Sequence, residues 1–263
     1  MHYLRLTGFF IRASFQEEAA YRANFWISLF YSLLNLGTGV LGVAVLFNQV
    51  ETLRGWTFAG TLALLGVYLI ASALRNLVIG PSLEALAGMD GEVWQGTLDF
   101  TLLRPIDIQF LASLRRWRIF SLFDLLLGTG VLVAALAQLE KPITLAQLGI
   151  FLLALAAGIA ILYAILLAFT ALVFWSPGVL FTWIFDSLFQ MARYPVGLYP
   201  GWLRLVLTWI VPVGMITTVP AEALSGTLTP GSLAAAVALA VALVTGASVF
   251  FRLGLRRYAS ASS

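Results

Sequence analysis

Long apolar stretches separated by short polar breaks run along most of this chain, and their lengths predict membrane-spanning helices. Phe25 to Phe47 is long enough for the roughly 20 residues a spanning helix needs, and from Ala23 to Leu53 the only charge is Glu51. Gly55 to Leu74 is uncharged and predicts a second span, closed by Arg75 and Asn76, with Gly80 and Pro81 ending the helix. Ile119 to Leu139 predicts a third, with Asp124 inside it and a tight turn at 140–142 after it. No charge occurs from Pro142 to Phe185, which is too long for one span. Ser176-Pro177-Gly178 divides it into a fourth span at about 145–174 and a short fifth at about 179–193 containing Asp186. Leu233 to Phe251 predicts the sixth, followed by Arg252, Arg256, Arg257 and a polar tail.

Two segments depart from this pattern. Residues 1–22 read as an interfacial helix lying on the membrane: Leu6, Phe9, Phe10, Ala13 and Ala20 share a face, Arg5, Arg12 and Gln16 lie roughly opposite, and Ile11 and Phe15 break the pattern. Residues 195–230 are apolar but hold five of the nine prolines (Pro195, Pro200, Pro212, Pro220 and Pro230). That predicts two short helices, roughly 201–210 and 213–224, dipping into the membrane and returning as a re-entrant outer hairpin before the last span. In the competing topology, 202–219 is the fifth span and 177–200 an interfacial cytoplasmic segment.

Composition agrees. Of 263 residues 61% are hydrophobic and 10% charged, with mean hydropathy +0.96, whereas a soluble domain carries about 25% charged residues. The net charge of +3 comes almost wholly from arginine, Lys141 being the only lysine, and it reads as an orientation signal rather than affinity for nucleic acid. Eleven of the basic residues fall on one side if the N-terminus and the loop at 82–118 are cytoplasmic, against Arg54, Lys141, Arg193 and Arg204 outside. Both termini are then cytoplasmic and the number of spans even. There is no cysteine and one histidine, and no phosphate loop, HExxH or GxSxG motif, so no catalytic, cofactor or metal site is visible. Gly37, Gly39 and Gly42 are candidate close-contact positions. The intramembrane carboxylates Asp124 and Asp186 are candidate pathway groups; Asp124 has Arg75 and Arg118 as candidate partners, and Asp186 lacks an obvious one. A proton-coupled secondary transporter using these two acids is the alternative function.

The longest polar interruption is the loop at 82–118. Within it Glu92-Val93-Trp94-Gln95-Gly96-Thr97-Leu98-Asp99, followed by Leu102-Leu103-Arg104-Pro105, resembles the E-x-x-x-G-T-L-E/D-x-x-L-x-x-P pattern of membrane subunits of ABC-type exporters of the polysaccharide, lipid and drug export class. Tyr194-Pro195-Val196, Tyr199-Pro200-Gly201-Trp202, Val211-Pro212 and Ala221-Glu222-Ala223-Leu224 are similar to the outer hairpin of that class, and the lead from Arg12 to Trp26 is similar to one of its subfamilies. The resemblance implies an all-α integral membrane permease of the bacterial plasma (inner) membrane, with six transmembrane helices. It implies pairing with a second permease copy or a related permease, a pathway between spans one, two and five, and two nucleotide-binding ATPase subunits that hold the ATP and Mg. It also implies a cytoplasmic coupling helix near 90–97, with Asp90, Glu92, Val93, Trp94, Gln95, Gly96, Thr97 and Asp99 meeting the ATPase. Charge placement suits such a helix: Asp90 and Glu92 favour its N-terminus, Gly96 ends it, and Pro105 stops continuation. Asp107 then caps a helix over 108–118 that leads into span three.

Overall fold

The computed structural model describes residues 2–20, 22–139, 142–176 and 181–258. The turn at 140–142, the break at 176–178 and the polar tail fall wholly or partly outside them. Its helices are α1 (His2–Ala19), α2 (Arg22–Phe47), α3 (Phe58–Leu74), α4 (Gly80–Ala87), α5 (Leu98–Leu102), α6 (Ile108–Leu114), α7 (Ser121–Leu136), α8 (Leu145–Ala171), α9 (Phe181–Gln190), α10 (Gly201–Leu205), α11 (Val213–Ser225) and α12 (Pro230–Arg257). A two-stranded hairpin, β1 (Thr52–Leu53) and β2 (Trp56–Thr57), turns the chain between α2 and α3.

Among the described residues, four helical stretches are long and apolar enough to cross a membrane: Ala23–Phe47, Phe58–Ala87, Leu145–Phe174 and Pro230–Arg257. α7, at the place of the predicted third span, is apolar but shorter than these four, and hydrogen-bonded turns flank it from Arg118 to Leu139. α3 is apolar on all sides and is accordingly the buried centre of the bundle, with α7, α8 and α11 packed around it.

The predicted stop at Gly80-Pro81 does not occur. A wide turn at Arg75–Ile79 joins α3 to α4, so the helix runs on to Ala87, and the loop begins six residues later than predicted. The wide turn shifts the hydrogen-bond register, with Gly80 N–H donating to the Arg75 carbonyl. Pro81 has no N–H to offer the Leu77 carbonyl. That carbonyl instead accepts from Arg118 N–H at 2.9 Å.

Close approach of backbones depends on glycine, though not where predicted. A Cβ on Gly66 of α3 would lie 2.8 Å from the Leu132 backbone of α7, and one on Gly128 of α7 would lie 2.9 Å from Ile70 N of α3. The two helices thus bury reciprocal glycines one turn from each other's contact. Gly158 of α8 lies against the Ile216 carbonyl of α11 in the same way. Of the predicted trio, Gly37 faces open space, Gly39 meets the Leu65 side chain and Gly42 meets Tyr194.

Residues 181–198 run antiparallel to α3 along its length. Asp186 pairs with Arg75, Phe189 stacks near Tyr68, and Arg54 beside β2 donates to the Gly197 carbonyl at 2.8 Å. Arg193, counted among the outer-side basic residues, is half-buried, bonded to Asn35 and placed 5.3 Å from the centre of the Tyr68 ring. The 202–219 stretch of the competing topology is not one helix. Gly201–Ile210 and Val213–Ser225 are separate and meet at 91° across Val211 and Pro212, close to the predicted pair of short helices.

The glycine contact yields a test. Gly66→Leu or Gly128→Leu should lower stability by about 3 kcal/mol, read as a fall in unfolding temperature in detergent. Gly130→Ala, which faces open space on the same helix, should be neutral or stabilising.

Candidate functional site

Beyond α4 the chain forms a compact knuckle, residues 88–103. It folds back so tightly on α4 that a Cβ on Gly88 would lie 2.5 Å from the Glu84 carbonyl and one on Gly91 2.7 Å from the Leu86 carbonyl. The α4 carbonyls of Ala85 and Leu86, left without helical partners, accept from Glu92 and Val93 N–H at 3.0 and 3.1 Å. The predicted helix at 90–97 is a single turn. Thr97 N–H bonds the Glu92 carbonyl and Gly96 N–H the Val93 carbonyl, with Gly96 at φ +68°. This pair of bonds around a left-handed residue is the Schellman stop, so Gly96 ends the turn as predicted. One turn is all that fits, because Gly96 follows Glu92 by only four residues.

Val93 and Leu98 point inward and are buried. The outer side is apolar yet open: Met89 is 67% exposed, Trp94 57%, Phe100 71% and Leu103 82%. Asp90 and Gln95 are exposed beside them, Thr97 is partly exposed, and Asp99 lies near Tyr258. Glu92 differs from expectation. Its carboxylate turns inward, 2.6 Å from Arg115 and accepting from the Thr101 hydroxyl at 2.8 Å.

Asp107 caps α6 as expected, accepting from Phe110 N–H at 2.8 Å. However, α6 ends at Leu114: Arg115 is a bend that keeps helical dihedral angles, and residues 116–118 are not helical. The reason is competition for backbone bonds: Ser82 of α4 both accepts from Arg116 N–H and donates to the Arg116 carbonyl, at 2.8 and 2.9 Å, and Arg118 N–H goes to Leu77. α1 fastens to the same segment. Ser14 accepts from Trp117 N–H at 3.1 Å, and Glu18 accepts from Phe120 N–H at 3.0 Å, so a carboxylate from another helix serves the open N-terminus of α7. The packed face of α1 is therefore Tyr3, Leu6, Phe10, Ser14 and Glu18. Leu4, Ile11 and Phe15, two of which broke the predicted pattern, share an exposed apolar stripe beside Arg5 and Arg12.

The profile of the ABC-2 family transporter proteins matches residues 33–262, nearly the whole chain. The chain belongs to the ABC-2 transporter family. It is a multi-pass ABC transporter permease. Comparison with curated proteins and with solved structures finds no match.

In this permease the two intramembrane acids are partnered. Asp186 lies 2.6 Å from Arg75, joining α9 to the end of α3, and Asp124 shares a narrow gap with Ser32 of α2, with Arg118 at longer range. Neither Arg75 nor Arg118 forms the ion pair with Asp124 that the sequence suggested. The proton-coupled alternative has no support in the family. Among the outer-hairpin residues, Pro195 and Pro200 precede short helical turns, Pro212 precedes α11, and the Glu222 carbonyl accepts from Gly226, Thr227 and Leu228 N–H to close it. A cavity of about 780 Å³ opens between α1, the first turns of α2, α4 and residues 116–120, lined by Glu17, Glu18, Glu84, Arg118 and Asp186 among others. Sequence spacing gave no sign of the Ser14, Glu18, Ser82 and Thr101 contacts, since their partners lie on other elements.

Burial pushes the Glu18 carboxyl above its usual pKa, and the Phe120 and Ile119 N–H groups and Arg118 pull it back only in part. Ionised Glu18 therefore costs the fold some stability above that raised value, and the cost is relieved as pH falls through it. Glu18→Gln keeps an acceptor and should be at least as stable as wild type at neutral pH, with wild type gaining on it as pH falls. Glu18→Ala removes the acceptor and should cost about 1 kcal/mol; melting in detergent and exchange of the Phe120 amide measure both.

Proposed function

We propose that this permease is the transmembrane half of an ATP-driven exporter, works as a pair of permease subunits, and is powered by separate ATPase subunits that seat on the knuckle. The observation that carries the reading is the exposed cluster of Met89, Trp94, Phe100 and Leu103 on a polar, tightly fastened loop. Four large apolar side chains at the tip of a rigid structure suit a partner groove, and an aromatic anchor such as Trp94 is the kind of residue that dominates such contacts. The bilayer covers the exposed apolar surfaces of α2 and α12.

The proposed topology has six crossings, with 181–198 as the fifth and 201–225 as a re-entrant hairpin on the outer side. The antiparallel run of 181–198 along α3 supports this, and the arginine distribution supports cytoplasmic termini in a bacterial inner membrane. The substrate path begins at the polar cavity. It is lined by the first span (Asn24, Ile27, Ser28), the second (Pro81, Glu84) and the fifth (Asp186), the three that the resemblance assigns to the pathway. ATP and Mg belong to the partner.

The test is co-purification. Tagged permease should bring down a nucleotide-binding subunit, and Trp94→Ala should weaken that association about 30-fold, as loss of a hot-spot residue of about 2 kcal/mol does. Because the chain has no cysteine, Trp94→Cys is a unique label, and it should react from the cytoplasmic side. Failure to recover any nucleotide-binding subunit, or labelling from outside the cell, defeats the proposal.

A further inference from the structure

Glu92 heads the motif by which the permease resembles its class, and the proposed function makes the knuckle the place where the ATPase seats. Its side chain nevertheless does not face outward. We infer that Glu92 is a positioning residue that carries displacement of the knuckle to α7, and that it makes no contact with the ATPase. This inference rests on the proposed function and adds to it the internal route that the motion takes.

Three observations converge on it. First, Glu92 is bonded at every polar group: its N–H to the Ala85 carbonyl of α4, its carbonyl to Thr97 and Leu98 N–H, one carboxylate oxygen to Thr101 of α5, and the other to Arg115 at the end of α6. Second, the ion pair is enclosed. The Glu92 and Arg115 side chains are 19% and 18% exposed, and Leu86, Ile108, Leu111 and Ala112 surround the small gap beside them. A pair so screened from water is geometrically strict, because losing one partner strands a charge in an apolar setting. Third, Arg115 leads directly into the non-helical segment that is held by Ser82 of α4 and by the Leu77 carbonyl of the wide turn, and that segment passes into the hydrogen-bonded turns that open α7. The Glu92–Arg115 ion pair thus joins a knuckle side chain to the start of this segment. The Glu92 carboxylate is a side-chain link by which a push on Trp94 or Phe100 reaches the third span.

The experiment uses the complete complex of permease and ATPase. Leu126→Cys, exposed on α7, carries an environment-sensitive fluorophore as the only thiol label on the permease, and the signal is its change on adding ATP and vanadate. Glu92→Gln and Arg115→Gln should each leave recovery of the ATPase within about two-fold of wild type while cutting the ATP-driven signal roughly ten-fold, as expected when a strut rather than a docking contact is removed. The exchanged pair, Glu92→Arg with Arg115→Glu, should restore at least half of the signal, the rescue that marks a direct interaction. Thr101→Val, which loses one hydrogen bond but no charge, gives an intermediate signal and covers the case in which a charge-stranding variant fails to fold. Loss of the ATPase from Glu92→Gln overturns the inference by making Glu92 a docking contact, and an undiminished signal in the folded variants overturns it by showing that the pair carries nothing. Failure of the wild-type permease to recover any ATPase defeats the proposed function instead.

Discussion

Pro81 has no amide hydrogen, and the lower half of the permease is arranged around that lack. In a helix at the membrane face, the carbonyl four residues before a proline needs another donor, or it stays unpaired where water is scarce. Leu77 finds one in Arg118, and the wide turn at Arg75–Ile79 supplies the register that lets the helix continue. One backbone bond thereby brings the 115–118 segment alongside α4. With it come the paired Ser82–Arg116 bonds, the docking of α1 through Ser14 and Glu18, and Arg115 within reach of Glu92.

The polar groups inside the bundle follow a related logic. The Arg75–Asp186 pair joins α3 to α9, and Arg193 is held by Asn35 and the face of Tyr68. Such pairs contribute little net stability, because desolvating the charges offsets most of the attraction. Their effect is on geometry: a charged pair tolerates one arrangement, whereas apolar helix faces slide at little cost. α9 is only ten residues long and too short to find its place by apolar area alone, and the Asp186 contact sets its level against α3.

Much of this was legible in the sequence, for definite reasons. Apolar length marks long helices from Gly55, about 145 and Leu233, within three residues of the observed starts at Phe58, Leu145 and Pro230, and Val211-Pro212 separates the two short ones because proline cannot continue a helix's hydrogen bonds. Gly96 as a stop and Asp107 as a cap were also legible, since both act within four residues of themselves. What escaped were contacts decided by distant parts of the chain. Pro81 read as a helix end because its compensating donor, Arg118, lies on another element. Asp186 seemed unpartnered because the approach of Arg75 depends on how α9 is hung. Glu92 read as a dipole-favoured helix start, since nothing local reveals that Arg115 and Thr101 converge on it. The coupling reading of the loop came from a family resemblance, and the geometry that makes it physically sensible, exposed apolar groups on a fastened turn, came only with the fold.

These contacts also divide the permease into parts that move together. Gly66 and Gly128 lock α3 to α7 at backbone distance, and Gly158 locks α8 to α11. Interdigitated backbones slide poorly, so each pair behaves as a body. The knuckle is continuous with the first body through α4, and Glu92 ties it to Arg115, at the head of the segment leading into α7. A push at the knuckle therefore arrives at both helices of that body at once and tilts it as a unit. The segment from Asp186 to Arg193 packs beside this body, with Phe189 and Ala192 buried in the core. It is the second half of α9 and the tighter helical turn at Met191–Arg193, tied to the α3 side by the Arg75–Asp186 pair and the Arg193–Tyr68 contact, and to α2 by Arg193 and Asn35.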